Sequence, residues 1–302
     1  MKISILTPTY NRENLLKNLY NSLIENSKYN VDIEWLIMDD GSTDNTKELI
    51  QNYIKEGTIE IKYFYQENQG KMKAINSLVP KASGDLIIEC DSDDYFTSNA
   101  FEIINKEYLK NADKDIYSLC FLKIDQNGKN MGQAFKNEKT TMFDLYFKEE
   151  ENGEKALVFY TDIRKKYKHR LEKDERFVTE ARMYHEMDLK YKILCINEPI
   201  MVCEYQSEGY SKNISKEFKE NPFGYYEYFK EILKRNMKGV KFNKKLYAVK
   251  HYILFSYLTK QYDFKCIKNF ECKYLYVILF IPGIIKSKMW RWKEVKIWKK
   301  YQ

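Results

Sequence analysis

The chain has 302 residues, 44% of them apolar and 31% charged, with only 11 Gly and 5 Pro. Those proportions exclude a disordered or low-complexity protein and fit one large domain or a domain with an appendage. The net charge of +7 is concentrated at one end, where seven basic residues and one acidic residue lie between Lys286 and Gln302. The remainder is close to neutral, which argues against a protein that coats nucleic acid.

The first half alternates between two periodicities. "KISILTP" reads as a strand buried on both faces, and Leu15, Leu16, Leu19, Leu23 and Ile24 then recur at helical spacing. "IEWLIMDD" is the next apolar run, followed by a helical stripe through Leu49, Ile50, Tyr53 and Ile54. "IEIKYFY" alternates as a third strand, a short helix spans Met72 to Leu78, and "DLIIEC" is a fourth strand. Phe101, Ile104, Tyr108 and Leu109 mark another helix, and "IYSLCFLKI" a fifth strand. Strands and helices joined by short connections predict βαβ units, hence an α/β fold with a mostly parallel sheet covered on both faces.

After Lys123 the pattern is irregular. "FKEEENGEKALVF" predicts an exposed loop and then a strand from Ala156 to Tyr160. "ERFVTEARMYHEM" starts a helix with Thr179 as its N-cap. "YKILCINEPIMVCEYQ" reads as two short strands around Pro199. From Phe218 onward helical spacing dominates, so the expected division is a domain over 1–213 and a helical region over 214–302.

Six cysteines, Cys90, Cys120, Cys195, Cys203, Cys266 and Cys272, form no C-x-x-C pair and sit among apolar residues, as buried thiols in a reducing compartment do. The opening run is too short for a signal peptide and is interrupted by Pro8, so a cytoplasmic location is expected. The apolar run from Tyr274 to Ile285 falls short of the ~20 residues of a spanning helix.

Each of the first four strands ends in a polar cluster: "TPTYNR", "DDGSTDNT", "QENQGK" and "DSDD". Ligands of open α/β sheets bind at such strand ends. In the last cluster Asp91, Asp93 and Asp94 are separated only by Ser92. Carboxylates so spaced suit Mg²⁺ or Mn²⁺ bridging protein to substrate phosphates; an ordinary acidic loop capping the next helix is the plainer alternative. There is no G-x-G-x-x-G after the first strand and no phosphate-cradling G-x-x-x-x-G-K-[ST]. Pro8 and Tyr10 in the first loop suit a base or ribose better than a phosphate. Glu89 inside "LIIEC" either faces the cleft or marks a sheet edge. His169, His185 and His251 are too scattered for a metal cluster and read as surface or partly buried residues.

"TPTYNR", "DDGSTDNT", "ENQGKMKAIN" and "DSDD", in this order and at this spacing, closely resemble the family 2 glycosyltransferases of the GT-A fold, from Lys2 to about Asn213. The resemblance implies inverting transfer of a sugar from a nucleotide diphosphate, most often UDP. Thr7, Thr9 and Tyr10 would line the base pocket with Pro8 and with Arg12 close by. Asp39 would contact uracil or ribose, and Asp40 would support its loop. Asp91, beside Ser92, would contact ribose or metal, and Asp93 would coordinate the metal. Lys71 would contact the diphosphate or fix its own loop. Glu180 would be the base that deprotonates the acceptor, with Glu175 as second choice. The family has a Glu-Asp pair here, whereas this chain has Glu180-Ala181; a first-turn acid stabilising the helix dipole is the plainer role.

The implied partners are a nucleotide-sugar donor and a glycan or lipid-linked acceptor in bacterial surface polysaccharide or glycolipid assembly. A homo-oligomer is neither required nor excluded. A nucleotidyl- or phosphotransferase using the same acidic edge, and a non-catalytic sugar-nucleotide-binding scaffold, are the rival readings. The tail "FIPGIIKSKMWRWKEVKIWKKY", with Trp290, Trp292 and Trp298 among lysines, suits either an anionic inner-leaflet surface or packing on the catalytic domain.

Overall fold

A computed structural model describes residues 1–111, 113–204 and 214–292. Lys2–Thr9 (β1) and Asp32–Asp39 (β2) are buried along nearly their whole length, as strands covered on both faces must be. Glu60–Tyr65 (β3) is only half-buried and lies at the sheet edge. Leu86–Glu89 (β4) completes a parallel set in the order β3-β2-β1-β4. The linking helices are Glu13–Asn26 (α1), Thr46–Glu56 (α2) and Lys71–Leu78 (α3). In α1 the buried Leu16, Leu19, Tyr20 and Leu23 form one helical face against the sheet. Gly57 ends α2 in the left-handed conformation, φ +67°, and its N–H donates to the Tyr53 carbonyl.

The second half of the sheet is mixed. Asp94–Phe96 (β5), Ile116–Ile124 (β6), Lys139–Thr140 (β7), Lys155–Tyr160 (β8) and Lys192–Cys203 (β9) extend it to nine strands among the described residues. β8 runs antiparallel between β4 and β6; β9 is parallel to β6 and antiparallel to β5 and β7. Ala100–Lys110 (α4), Met142–Phe147 (α5), Thr161–Arg164 (α6) and Ala181–Met187 (α7) accompany these strands in the sequence. The expected pair of short strands around Pro199 is one strand, β9. Register shifts opposite Phe121–Lys123 absorb the residue that lacks an N–H. β5, only three residues long, has no sequence period to betray it. β4 lies inside the sheet, so Glu89 does not mark an edge.

The described chain forms two compact units: Met1–His169 with Met183–Gln206, and Arg170–Arg182 with Ser207–Gln302. The expected boundary at residue 213 lies outside the described residues, as do residues 293–302 with Trp298. The second unit holds Ile214–Glu220 (α8), Pro222–Leu233 (α9), Phe242–Thr259 (α10), Phe264–Ile267 (α11) and Lys273–Trp292 (α12). Its centre is aromatic: Tyr225 and Phe229 of α9 stack on Phe255 of α10 at centroid distances of 5.2 and 5.7 Å. His251 lies in this cluster, where burial holds its imidazole down to about 4. All six cysteines are buried free thiols. Among the described residues no helix is long and apolar enough to cross a membrane.

One buried charge fastens the end of the sheet remote from the polar loops. Glu34 of β2 accepts from the Ser4 hydroxyl, from the Ser83 N–H and hydroxyl, and from Lys62 at 3.0 Å. Burial pushes its carboxyl up, but the hydrogen bonds from Ser4, Ser83 and Lys62 outweigh it and bring the value down to about 2. Its stabilisation is therefore complete above the ordinary value of 4.5 and is lost as pH falls toward 2. Glu34→Gln is expected to be about 2 kcal/mol less stable than the parent at pH 7. Urea midpoints across pH should show that gap closing below pH 4.5.

Candidate active site

The carboxyl ends of β1, β2, β3 and β4 carry the four polar loops, and side chains tie each loop to the next. Asn11 joins the first to the second: its N–H donates to the Ser42 hydroxyl, and its side-chain oxygen accepts from the Thr43 N–H. Asp40 joins the second to the third, accepting from Gln66 Nε2 at 2.6 Å, Gln69 N at 2.9 Å and Gly70 N at 2.8 Å. Lys71 joins the third to the fourth through an ion pair with Asp91 at 2.8 Å. The second loop passes so close to the third that a Cβ on Gly41, φ +89°, would lie 3.0 Å from the Asn68 nitrogen. Glycine is required there.

Within this frame the predicted residues separate into those that hold and those that face outward. Thr7 is fully buried and its hydroxyl accepts from Trp35 Nε1 at 2.9 Å, so it braces the sheet. Pro8 is buried, and the Thr9 hydroxyl is buried without a hydrogen-bond partner, while the Thr9 carbonyl accepts from Asp40 N. Tyr10 is 47% exposed at the mouth of the first loop. Arg12 sits at the N-cap of α1, and its charge reaches Asp93. Asp39 accepts from Ser42 N at 2.7 Å and from the Tyr63 hydroxyl at 2.6 Å.

The fourth loop is a graded set of acids. Asp94 is buried and paired with Lys123 of β6 at 2.6 Å. Burial pushes Asp91 up, but the adjacent Lys71 charge and hydrogen bond bring it below the usual carboxylate range. Ser92 is buried. Asp93 is raised to about 6 by burial and by the charges of Asp91 and Asp94, with Arg12 opposing. Such a carboxylate gains from any cation placed beside it. Among the described residues no group of three or more His, Cys, Asp and Glu side chains could hold a metal ion. An ion completed by phosphate oxygens and water needs only one or two protein carboxylates, so Asp91 and Asp93 fit that kind of site.

Sequence reasoning missed the supports. Lys123 was only the end of a predicted strand. Glu89 pairs with the buried Arg164 at 2.5 Å and lies 3.4 Å from His169 Nε2. Burial pushes the Glu89 carboxyl up, and Arg164 and His169 bring it down to about 2. His169 is fully buried rather than at the surface or partly buried, and Asn76 of α3 bonds its backbone on both sides. The partners of Glu89 lie 75 and 80 residues away, beyond the reach of local pattern.

In the second unit, Glu175 accepts from the N–H groups of Phe223 at 2.5 Å and Gly224 at 2.7 Å, at the start of α9. Asn221 fastens the same segment by accepting from Arg176 N and Phe177 N. Burial raises Glu175 to about 7 against those two N–H donors. Glu180 directly precedes α7, is partly exposed, and contributes to raising the buried Tyr225 phenol.

The model of glycosyl transferase family 2 matches residues 4–174, more than half of the chain, and the chain belongs to that family. It is 30% identical over 143 residues to poly(ribitol-phosphate) β-N-acetylglucosaminyltransferase TarS of Staphylococcus aureus, a match covering 46% of this chain and 24% of the relative. It likewise spans 43% of an uncharacterised glycosyltransferase of Mycoplasma pneumoniae, so less than half of either curated relative is matched. The fold matches TarS residues 1–349, solved with UDP-GlcNAc, at TM-score 0.61 and 16% identity, covering 96% of this chain and 91% of that one. It also matches mannosyltransferase PcManGT of Pyrobaculum calidifontis, solved with GDP-Man and Mn²⁺, at TM-score 0.56 and 12% identity, covering 99% and 87%. The fold is therefore that of the GT-A glycosyltransferases.

Because the fold holds Asp93 near 6, its favourable contribution is present below the ordinary 3.8 and is lost as pH rises through 6. In the presence of a chelator, Asp93→Asn should unfold a few degrees above the parent at pH 8 and lose that advantage by pH 4. Thermal unfolding at the two pH values checks this.

Proposed function

We propose that the chain transfers a sugar, with inversion, from a nucleotide diphosphate, most simply UDP, to a hydroxyl acceptor in bacterial surface polysaccharide or glycolipid assembly. The observation that carries the reading is the convergence of four cross-braced loops on Asp39, Asp40, Asp91 and Asp93 at the carboxyl ends of one parallel sheet. The fold neighbour solved with UDP-GlcNAc supports the donor class.

Tyr10, with Thr9, Pro8 and Arg12 around it, receives the base, and Asp39 the uracil or ribose. Asp40 keeps the third loop in place. Lys71 and Asp91 form the floor under the diphosphate, beside Ser92. Asp93, with Asp91, would hold Mg²⁺ or Mn²⁺, which when bound supplies positive charge to the diphosphate as it departs; the Mn²⁺-bound neighbour supports this. Glu180 takes the proton of the acceptor hydroxyl during in-line attack on the anomeric carbon. Glu175, at about 7, has a value that would suit a base, but both of its oxygens already accept backbone N–H groups; we give it the part of fastening α9. The setting we propose is the inner face of the membrane, where lipid-linked acceptors reside.

Incubation with UDP-sugars is expected to release UDP; pyrophosphate would instead favour nucleotidyl transfer, and no turnover with retained binding would favour a scaffold. Glu180→Gln is expected to lose turnover by roughly 10²–10⁴-fold while keeping nucleotide binding by calorimetry. Asp93→Ala is expected to lose Mn²⁺-dependent binding as well. Normal turnover in Glu180→Gln would remove the base assignment.

A further inference from the structure

The C-terminal helix α12 is apolar on two sides. One side packs on α10: Tyr276 lies 5.8 Å from the Tyr252 ring, and a Cβ on Gly283 would fall 2.7 Å from Ile253. The other side is open. Tyr274, Val277, Ile278, Ile281 and Ile285 are 54%, 73%, 67%, 70% and 55% exposed, and their spacing places them on a single face. Phe264, 58% exposed, extends the patch through its ring contact with Phe280. A stripe of this kind in contact with water marks a surface that something covers.

The charge around the stripe identifies what covers it. Lys273 and Lys286 stand at its two ends, and no acidic residue occurs between Lys273 and Lys293. Beyond it the sequence continues with Lys288, Arg291, Lys293, Lys296, Lys299 and Lys300 against Glu294, interleaved with Trp290, Trp292 and Trp298. Lys250 of α10 lies close enough to Lys286 that, after burial, this second ammonium further lowers its own value. An anion placed there would relieve the repulsion. A second copy of the chain would bring basic ends together in either orientation, so self-association through this face opposes its own charge.

We infer that the exposed face of α12 is a docking surface for an anionic phospholipid bilayer, with Tyr274, Val277, Ile278, Ile281 and Ile285 entering the interface and Lys273 and Lys286 at its two ends meeting the headgroups. The helix lies along the membrane and does not cross it. This extends the proposed inner-face location and does not depend on the transfer reaction.

The test is flotation of the full chain with vesicles of phosphatidylcholine alone and with added phosphatidylglycerol, at low and high salt. The parent is expected to float with the anionic vesicles, several-fold less without phosphatidylglycerol or at high salt. The double variant Ile278→Asp, Ile281→Asp is expected to lose roughly tenfold or more of this binding, and Lys286→Glu with Lys288→Glu to abolish the preference for anionic lipid. Both variants should keep UDP binding by calorimetry, which separates a lost surface from a lost fold or a failed donor-site reading. Equal flotation of parent and variants, or no flotation of the parent, overturns the inference. So does light scattering that finds a parent oligomer converted to monomer by Ile278→Asp, Ile281→Asp, which would give the face to a second copy.

Discussion

The carboxylate of Asp40 is the constraint on which the site depends. It stands at the end of a buried strand and gathers a side-chain amide and two backbone N–H groups from a loop about thirty residues away in sequence. Those donors fix the approach to α3 and so the position of Lys71, which in turn holds Asp91. A short carboxylate can do this because its two oxygens accept several donors at once, and because burial leaves water little chance to compete. Asp40 is thus an organiser of the loops.

Charge around the fourth loop is balanced unevenly. Asp91 is paired with Lys71 and Asp94 with Lys123, and Glu89 is paired with Arg164 and lies beside His169. These neighbours oppose the rise that burial imposes on all three acids, and they outweigh it at Glu89 and Asp91. Asp93 is raised to about 6 by burial and by the charges of Asp91 and Asp94. A carboxylate so placed is stabilised by a cation brought beside it.

The first four strands and their loops were legible because each apolar run stops abruptly at polar residues, and because buried parallel strands need no alternation. What was hidden is non-local. Glu89 looked anomalous inside "LIIEC" because Arg164 and His169 approach it from a distant segment. Lys123 read as the end of a strand, yet it is buried against Asp94. Thr7 was expected in the base pocket, but its hydroxyl is fully buried and accepts from Trp35 Nε1. Pro199 suggested a break; a bulge accommodates it within one strand.

That bulged strand has a mechanical consequence. β9 pairs with β6 from Lys192 to Val202 and with β7 near its start, and its last residues, Met201–Cys203, also pair with β5, whose first residue is Asp94. One ribbon is thereby stitched both to the mixed half of the sheet and to the acidic tip. A substitution that slid this ribbon by a single residue could leave the oily interior filled and the protein soluble, yet drag the tip out of alignment.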